Sequence, residues 1–238
     1  MGVRIPLPAV CLGPTRYDET FVEVMETQYF RQSAWSRLRL RSITKLVDPQ
    51  PGEKILDIGS AIGAQAHHFS TFGCETVGVD LEPLFVEKAR SYFPDIEFHV
   101  GNAAELPFAD ASFDKVVAAD LTEHVDDETL AAIMKEAHRV LVEGGKLAVY
   151  TPNPKHLIER LKDWNFLLAQ NPLHIGLRDA STLSRSAERA DLHVERNTWA
   201  PSPWLRWVEL VLGRFFETFR YRICLLATKP MPRAAATD

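Results

Sequence analysis

Between residues 53 and 151, short apolar runs alternate with amphipathic stretches: KILDIG, AQAHHFSTF, ETVGVD, LFVEKARSYF, IEFHV, FDKVVAAD, DETLAAIMKEAHRVL and KLAVYT. The order predicts β-α-β-α-β-β-α-β. Strands that are apolar along their whole length and alternate with helices belong to a parallel sheet covered on both faces. An α/β fold with a Rossmann-like, doubly wound sheet is therefore expected. Local chemistry punctuates the pattern: Gly73 and the pair Gly144-Gly145 suit helix C-termini, and Pro83 suits a first helical turn.

The flanks read differently. Residues 15–47 look helical, with Trp35, Leu38, Ser42, Ile43 and Leu46 on one face, and Asp48-Pro49-Gln50-Pro51-Gly52 stops that helix before the first strand. Downstream, helices are expected at 155–169 and 179–190, and strands near 192–198 and 221–228. Between those strands lies PWLRWVELVLGRFFETFR, in which Arg206, Glu209, Gly213, Glu217 and Arg220 recur at steps of 3 or 4. That predicts one polar stripe on a helix whose remaining surface is apolar. The apolar face is wider than a helix lying on a sheet needs. Segment 203–219 is thus expected to serve as extra core, as a lid over an apolar acceptor, or as a peripheral contact with a membrane carrying a lipidic substrate. The predicted organisation is an N-terminal arm and helical cap at 1–52, a main domain at 53–230 with substrate-side elements at 155–219, and a disordered tail at 231–238.

At 238 residues, with 46% hydrophobic and 25% charged side chains, the chain can bury one sizeable core. The net charge of −5 argues against a broad basic face for nucleic acid. That charge is unevenly distributed: residues 53–151 hold 7 basic and 18 acidic side chains, net −11, which leaves the flanks at +6. Trp35, Trp164, Trp199, Trp204 and Trp207 all lie in the flanks as well. Cys11, Cys74 and Cys224 lack CxxC spacing, so a reducing, cytoplasmic setting is expected. The opening MGVRIPLPAVCLGP is broken by prolines and reads as a loose arm, not a signal peptide. Pro6 stands where a myristoylation signal needs Ser or Thr. No apolar run approaches the ~18 residues of a membrane-spanning helix.

The first predicted strand runs into Asp57-Ile58-Gly59-Ser60-Ala61-Ile62-Gly63. A glycine turn between a buried strand and a helix lets backbone approach a ligand and aims helix N–H groups at its polar part. The dinucleotide spacing of glycines, 1-3-6, falls on Gly59, Ala61 and Ala64 and matches once in three. An acidic residue followed by glycines at 1-3-5 falls on Asp57, Gly59, Ala61 and Gly63 and matches better, which disfavours a nicotinamide oxidoreductase. Seventeen residues after Gly63, the next strand ends at Asp80. A carboxylate at that tip can accept both hydroxyl protons of a ribose, or alternatively cap the helix begun at Pro83.

Residues 101–120, GNAAELPFADASFDKVVAAD, carry Gly101, Ala103, Leu106-Pro107-Phe108, Asp110 and Ser112-Phe113-Asp114. The stretch after them reads DLTEHVDDETLAAIMKEAHRVLVEGGKLAVYTPN. With the turn at 57–63, these resemble the class I S-adenosylmethionine-dependent methyltransferases, specifically the small-molecule enzymes of ubiquinone and menaquinone biosynthesis, over about half the chain. The resemblance implies a seven-stranded, mostly parallel sheet with an antiparallel last strand, and S-adenosylmethionine as cofactor. It implies that Gly59, Ser60, Ala61, Ile62 and Gly63 line the methionine part, Asp80 the ribose, and Asn102 with Ala103 the adenine edge, with Asp57 and Leu81 also among the cofactor-binding residues. Asp120 and Leu121 would form the floor towards the acceptor. Two departures stand out. Ala61 replaces the usual middle glycine, and Asn102 replaces a common aspartate while keeping an acceptor for the adenine amino group.

Methyl transfer needs alignment, with a base where the acceptor holds a proton. His124, past the fourth strand, and His174, which the resemblance places over the acceptor pocket, are the candidate catalytic bases. Tyr29, Trp35 and His174 are candidates to face the sulfur. His67 and His68 read as packing or solvated residues. Asp120, Glu123 and His124 form D-x-x-E-H, and a related pattern in the ubiquinone branch is associated with a divalent cation. The same EH shapes the pocket in relatives without metal, and no metal is expected here. The predicted function is methyl transfer to a small, apolar or aromatic acceptor, most directly at oxygen. The alternatives are a catalytically silent binder of S-adenosylmethionine, and a methyltransferase acting on a protein or a lipid head group. Nucleic-acid bases are disfavoured, because Ala119-Asp120-Leu121 is not the N/D-P-P-Y/F turn that grips a flipped base.

Overall fold

The computed structural model describes residues 19–30, 33–163 and 173–232. Two helices lead in, α1 (Glu19–Phe30) and α2 (Ala34–Val47). They are followed by β1 (Lys54–Ile58), α3 (Ala64–Ser70), β2 (Glu75–Asp80), α4 (Pro83–Tyr92), β3 (Glu97–Val100), β4 (Phe113–Ala119), α5 (Asp127–Val140) and β5 (Leu141–Pro152). The chain continues through α6 (Leu157–Asp163), α7 (Ala180–Glu188), β6 (His193–Ala200), α8 (Arg206–Leu212) and β7 (Arg222–Thr228). The expected alternation in the middle is present, and Pro83 does sit in the first turn of α4. The calls on the arm before residue 19, Cys11, Trp164, Asn171-Pro172 and the tail from 233 lie outside the described residues.

All seven strands form one sheet in the order β3-β2-β1-β4-β5-β7-β6. The first five are parallel, and β7 runs antiparallel to both β5 and β6. Residues of alternating parity point to opposite faces of each strand. Leu56, Ile58, Val116, Leu147 and Leu225 pack with α5 and α7 on one face. Ile55, Val117, Ala148, Tyr150 and Leu226 pack with Ile43, Leu46 and Val47 of α2 on the other. Strand order reverses between β1 and β4, which opens a crevice at their C-terminal ends, where a doubly wound sheet binds its ligand. The chain also places the turn at 59–63 and Asp120 there.

Three expectations are corrected. Gly144-Gly145 do not end a helix: α5 stops at Val140, and both glycines lie inside β5, where its register with β4 shifts. A Cβ on Gly145 would stand 2.8 Å from the Val142 carbonyl oxygen and 3.0 Å from that of Asp114, so the bend requires glycine. On α2, the buried residues are Ser36, Arg39, Ile43, Leu46 and Val47, while Trp35, Leu38 and Ser42 are only partly covered. A cation therefore lies in the middle of the buried stripe. Finally, 203–219 is not one helix: α8 ends at Leu212, a turn follows, and a short 3-10 turn spans Glu217–Phe219. Its Glu209, a member of the polar stripe, is fully buried. Cys74 and Cys224 are buried free thiols. Among the described residues, no helix is long and apolar enough to cross a membrane.

Candidate active site

The turn after β1 takes left-handed backbone at three alternate positions, Gly59 (φ +72°), Ala61 (φ +47°) and Gly63 (φ +80°). Gly59 and Ser60 donate their N–H groups to the Val79 carbonyl (2.8 and 3.0 Å), which ties the turn to the tip of β2. Ala61 takes the left-handed backbone of the turn despite its side chain. Its methyl packs towards Val22 of α1 and Ile62 and Phe85. The cap helix thus covers the turn, and the extra methyl is housed by it.

Asp80 ties the turn to the loop that precedes α4. Its Oδ2 accepts from Ala61 N (2.8 Å) and its Oδ1 from Glu82 N (3.0 Å). The capping alternative is not realised, since the N-cap of α4 is Glu82 and carries no side-chain cap; each Asp80 oxygen keeps a second acceptor site for a hydroxyl. Burial raises its pKa above the usual carboxylate value. Asn102 follows β3 beside it; Gly101 N donates to the Asp80 carbonyl (2.9 Å), and the Asn102 side chain accepts from Ala104 N (2.9 Å). Leu121 approaches Gly59 closely enough that a Cβ on the glycine would stand 3.1 Å from its Cδ1. Leu81 is exposed, and Ala103 is partly covered.

Beneath the turn lies a cavity of about 80 Å³, whose walls include Tyr29, Arg39, Asp57, Ser60, Gln65 and Asp120. Four buried polar atoms on these walls have no partner: Asp57 Oδ2, Ser60 Oγ, Gln65 Oε1 and Arg39 Nη1. Unpaired buried polar groups are costly, on the order of 1–3 kcal/mol each, so a cluster of them marks a ligand position. Asp57 is held on its other oxygen by Gln65 Nε2 (2.6 Å), and burial pushes its carboxyl up to about 7. Tyr29 is among the lining residues, whereas Trp35 borders neither this cavity nor the larger groove between α2 and α3. His67 and His68 sit on that groove. His67 stacks on Phe93, and His68 pairs with Thr44, which agrees with the packing role expected of them.

Asp120, at the end of β4 with φ +56°, is clamped by two guanidinium groups. Arg39 Nε donates to its Oδ2 (2.6 Å) and Arg222 Nη1 to its Oδ1 (2.8 Å). Burial alone would raise its carboxyl, but the two arginines win and hold it below the ordinary range. Asp120 is therefore committed to arginine and does not complete D-x-x-E-H as a ligand set. Among the described residues, the three groups that do converge are Glu123, His124 and His174, with ligand atoms within 4.8 Å of one another. His124 and His174 meet edge to face at 5.1 Å, and His124 Nδ1 lies 3.0 Å from the Leu173 carbonyl. His174 Nδ1 is buried without a partner. Burial, helped by His124, pulls its pKa down to about 4, so the ring is neutral at pH 7.

Glu123 is 1% exposed and accepts from Thr151 Oγ1 (2.9 Å). Burial, and then the Asp120 charge, push its carboxyl up to about 8. A carboxyl with a higher pKa when folded binds its proton more tightly in the native state. Its contribution to stability is complete near pH 4 and is lost as pH rises from its ordinary 4.5 towards 8. Glu123→Gln, which retains an acceptor for Thr151, is expected to flatten that fall. Urea unfolding of both proteins at pH 6 and pH 8.5 checks this: parallel losses of stability would contradict it.

Sequence reasoning missed Arg39, Gln65, Glu123 as a buried acid, and Arg222. The one available signal was Arg39, the single cation on the buried stripe of α2, four residues before Ile43.

The methyltransferase-domain family profile matches residues 56–149. A demethylmenaquinone methyltransferase of Chlorobaculum parvum is 37% identical over 119 residues, 50% of this chain and 48% of that one. A Mycolicibacterium smegmatis protein, named as an S-adenosylmethionine-dependent methyltransferase, is 30% identical over 76% of this chain and 66% of its own length. The chloroplastic tocopherol O-methyltransferase of Arabidopsis thaliana is 30% identical over 68% and 47%. This chain thus spans about half to two thirds of the length of these curated relatives. Among solved structures, the Pyrococcus horikoshii protein PH0226 shares the fold, with TM-score 0.66 and 20% identity over 90% of this chain and all of that one.

Proposed function

Since residues 56–149 match the methyltransferase-domain family, we propose that the protein transfers the methyl group of S-adenosylmethionine to a small, apolar or aromatic acceptor at oxygen. The observation that carries the reading is the pairing of unsatisfied groups in the cavity under the turn. Asp57 Oδ2 is a buried acceptor without a donor, and Arg39 Nη1 is a buried donor without an acceptor. An α-amino acid end, ammonium and carboxylate together, offers a donor to the one and an acceptor to the other, each with the complementary charge.

The residues present therefore fit the cofactor. Asp57 would take its ammonium, Arg39 its carboxylate, the backbone at Gly59–Gly63 its chain, and Asp80 its ribose hydroxyls, with Asn102 and Ala103 at the adenine edge. When bound, S-adenosylmethionine supplies an electrophilic methyl group on a sulfonium. The chain's part is then alignment and one proton. His174, neutral and with Nδ1 unpartnered, takes the hydroxyl proton of the acceptor. The Leu173 carbonyl beside His124 Nδ1 makes that nitrogen the donor and orients the second ring. Leu121 lies between turn and acceptor. The names of the tocopherol and menaquinone relatives support an aromatic or quinol-like acceptor.

Calorimetric titration with S-adenosylmethionine and its demethylated product, followed by turnover across a panel of phenols and quinols, tests the reading. Binding of both, and methyl ether formation on at least one acceptor, is expected. Absence of cofactor binding would refute it. Binding without turnover on soluble or vesicle-borne acceptors would favour the silent binder, for which Ala61 is the suggestive feature.

A further inference from the structure

Segment 204–216 is turned inside out relative to an ordinary surface helix. Glu209 is fully buried: Ser202 donates to it through both N and Oγ (the latter 2.8 Å), and His156 Nε2 stands 3.2 Å from its Oε1. At 100° per residue, Trp207 and Val211 point about 160° away from Glu209. They are accordingly exposed, Trp207 at 77% and Val211 at 60%. Trp204 (64%), just before the helix, and Phe215 (74%) and Phe216 (56%), just after it, are exposed as well. A chain that needed only solubility would bury the apolar side and leave the glutamate in water. Here a buried carboxylate and its three donors hold the opposite orientation, which presents large apolar side chains in quantity.

The charges around the patch identify its occupant. Arg206 and Arg214 are exposed among the aromatics, with Arg206 over the Trp207 ring. The one exposed acid, Glu217, is paired with Lys155 at 3.0 Å. Tryptophan and phenylalanine interleaved with arginine, and no uncompensated acid, is the chemistry of an interface with anionic lipid. The patch is also joined to the site. Asn153 Nδ2 donates to the carbonyls of Glu217 (3.2 Å) and Arg220 (2.7 Å), and two residues on Arg222 reaches Asp120.

We propose that Trp204, Trp207, Val211, Phe215 and Phe216 insert into the surface of an anionic bilayer, with Arg206 and Arg214 on its head groups, so that an apolar acceptor enters the site from lipid. The second half of this inference rests on the proposed function; the binding itself does not.

Sedimentation of the full chain with phosphatidylcholine vesicles, with and without about one third phosphatidylglycerol, tests it. The protein is expected to co-sediment with the anionic vesicles and to partition at least about tenfold less after Trp207→Glu with Phe215→Glu. Arg206→Gln with Arg214→Gln should remove the preference for anionic over neutral vesicles. Cofactor titration and unfolding midpoints of the same variants should match the parent, which separates failure of this inference from failure of the methyltransferase reading. Wild-type protein remaining in the supernatant with both vesicle types would overturn the proposal. So would undiminished binding by the double glutamate variant. Vesicle-independent dimerisation that the same substitutions abolish would assign the patch to a second copy instead.

Discussion

Arg39→Met is expected to weaken binding of S-adenosylmethionine by about 10- to 100-fold, while binding of 5′-methylthioadenosine stays unchanged. The second ligand keeps the adenosine and the sulfur but lacks the amino-acid end. Arg39 sits on the cap helix with Nε on Asp120 and Nη1 unpaired and buried in the cavity under the turn. A hydrogen bond between a guanidinium and a carboxylate contributes about 1.5–3 kcal/mol, which is the stated range of affinity. Loss of the Arg39–Asp120 pair would also cost stability, though less than the roughly 3–5 kcal/mol of stranding a buried charge, because Arg222 remains on Asp120. Arg39→Lys restores the charge without the planar fork, so partial recovery is expected. Calorimetric titration of both ligands decides the matter. Equal loss for the two would mean that Arg39 acts by holding Asp120 and the turn, not by binding the carboxylate.

The contrast between what the sequence disclosed and what it withheld follows from distance along the chain. The β-α alternation, the glycine turn and the carboxylate at Asp80 are local patterns. Period, turn chemistry and strand length suffice to read them, whereas the seven-stranded sheet with its antiparallel last strand was implied only by the family resemblance. Arg39 and Arg222 owe their meaning to Asp120, 81 and 102 residues away, and no periodicity encodes that. On its own, Arg39 reads as a long side chain reaching from an apolar stripe to water. The segment around α8 shows a second limit. Helical spacing reveals that two unlike faces exist, but which one turns inward is set by their partners. His156 and Ser202 make the interior the cheaper place for Glu209, and both lie outside the stripe that was being read. The D-x-x-E-H pattern fails for a similar reason. It places Asp120 beside Glu123 and His124 without the arginines that claim it, and it omits His174, which joins them from a loop some 50 residues on.

Gly63→Ala is expected to be the most damaging single methyl group that can be added at the turn. A Cβ there would stand 2.6 Å from Phe98 Cζ, 2.9 Å from its Cε1 and 3.1 Å from the Ala89 Cβ. Phe98 cannot yield easily, since it is 2% exposed and packed with Ala66, Val86 and Ala89. Overpacking of that kind costs about 1–3 kcal/mol. The left-handed backbone at φ +80° adds about 1–2 kcal/mol for a residue with a side chain. The total, about 2–5 kcal/mol, is a large share of the ~5–15 kcal/mol that holds a domain folded, and corresponds to a melting point lower by about 4–20 °C. Alanine already stands at 61 with φ +47°, and its methyl packs against the cluster of Val22, Ile62 and Phe85, so apolar contact accompanies the backbone penalty there. Scanning calorimetry of Gly63→Ala alone and with Phe98→Leu separates the two contributions. The second substitution should recover the steric part and leave the backbone part. No recovery would place the whole cost in the backbone, and an unchanged melting point for Gly63→Ala would show that Phe98 has room to move.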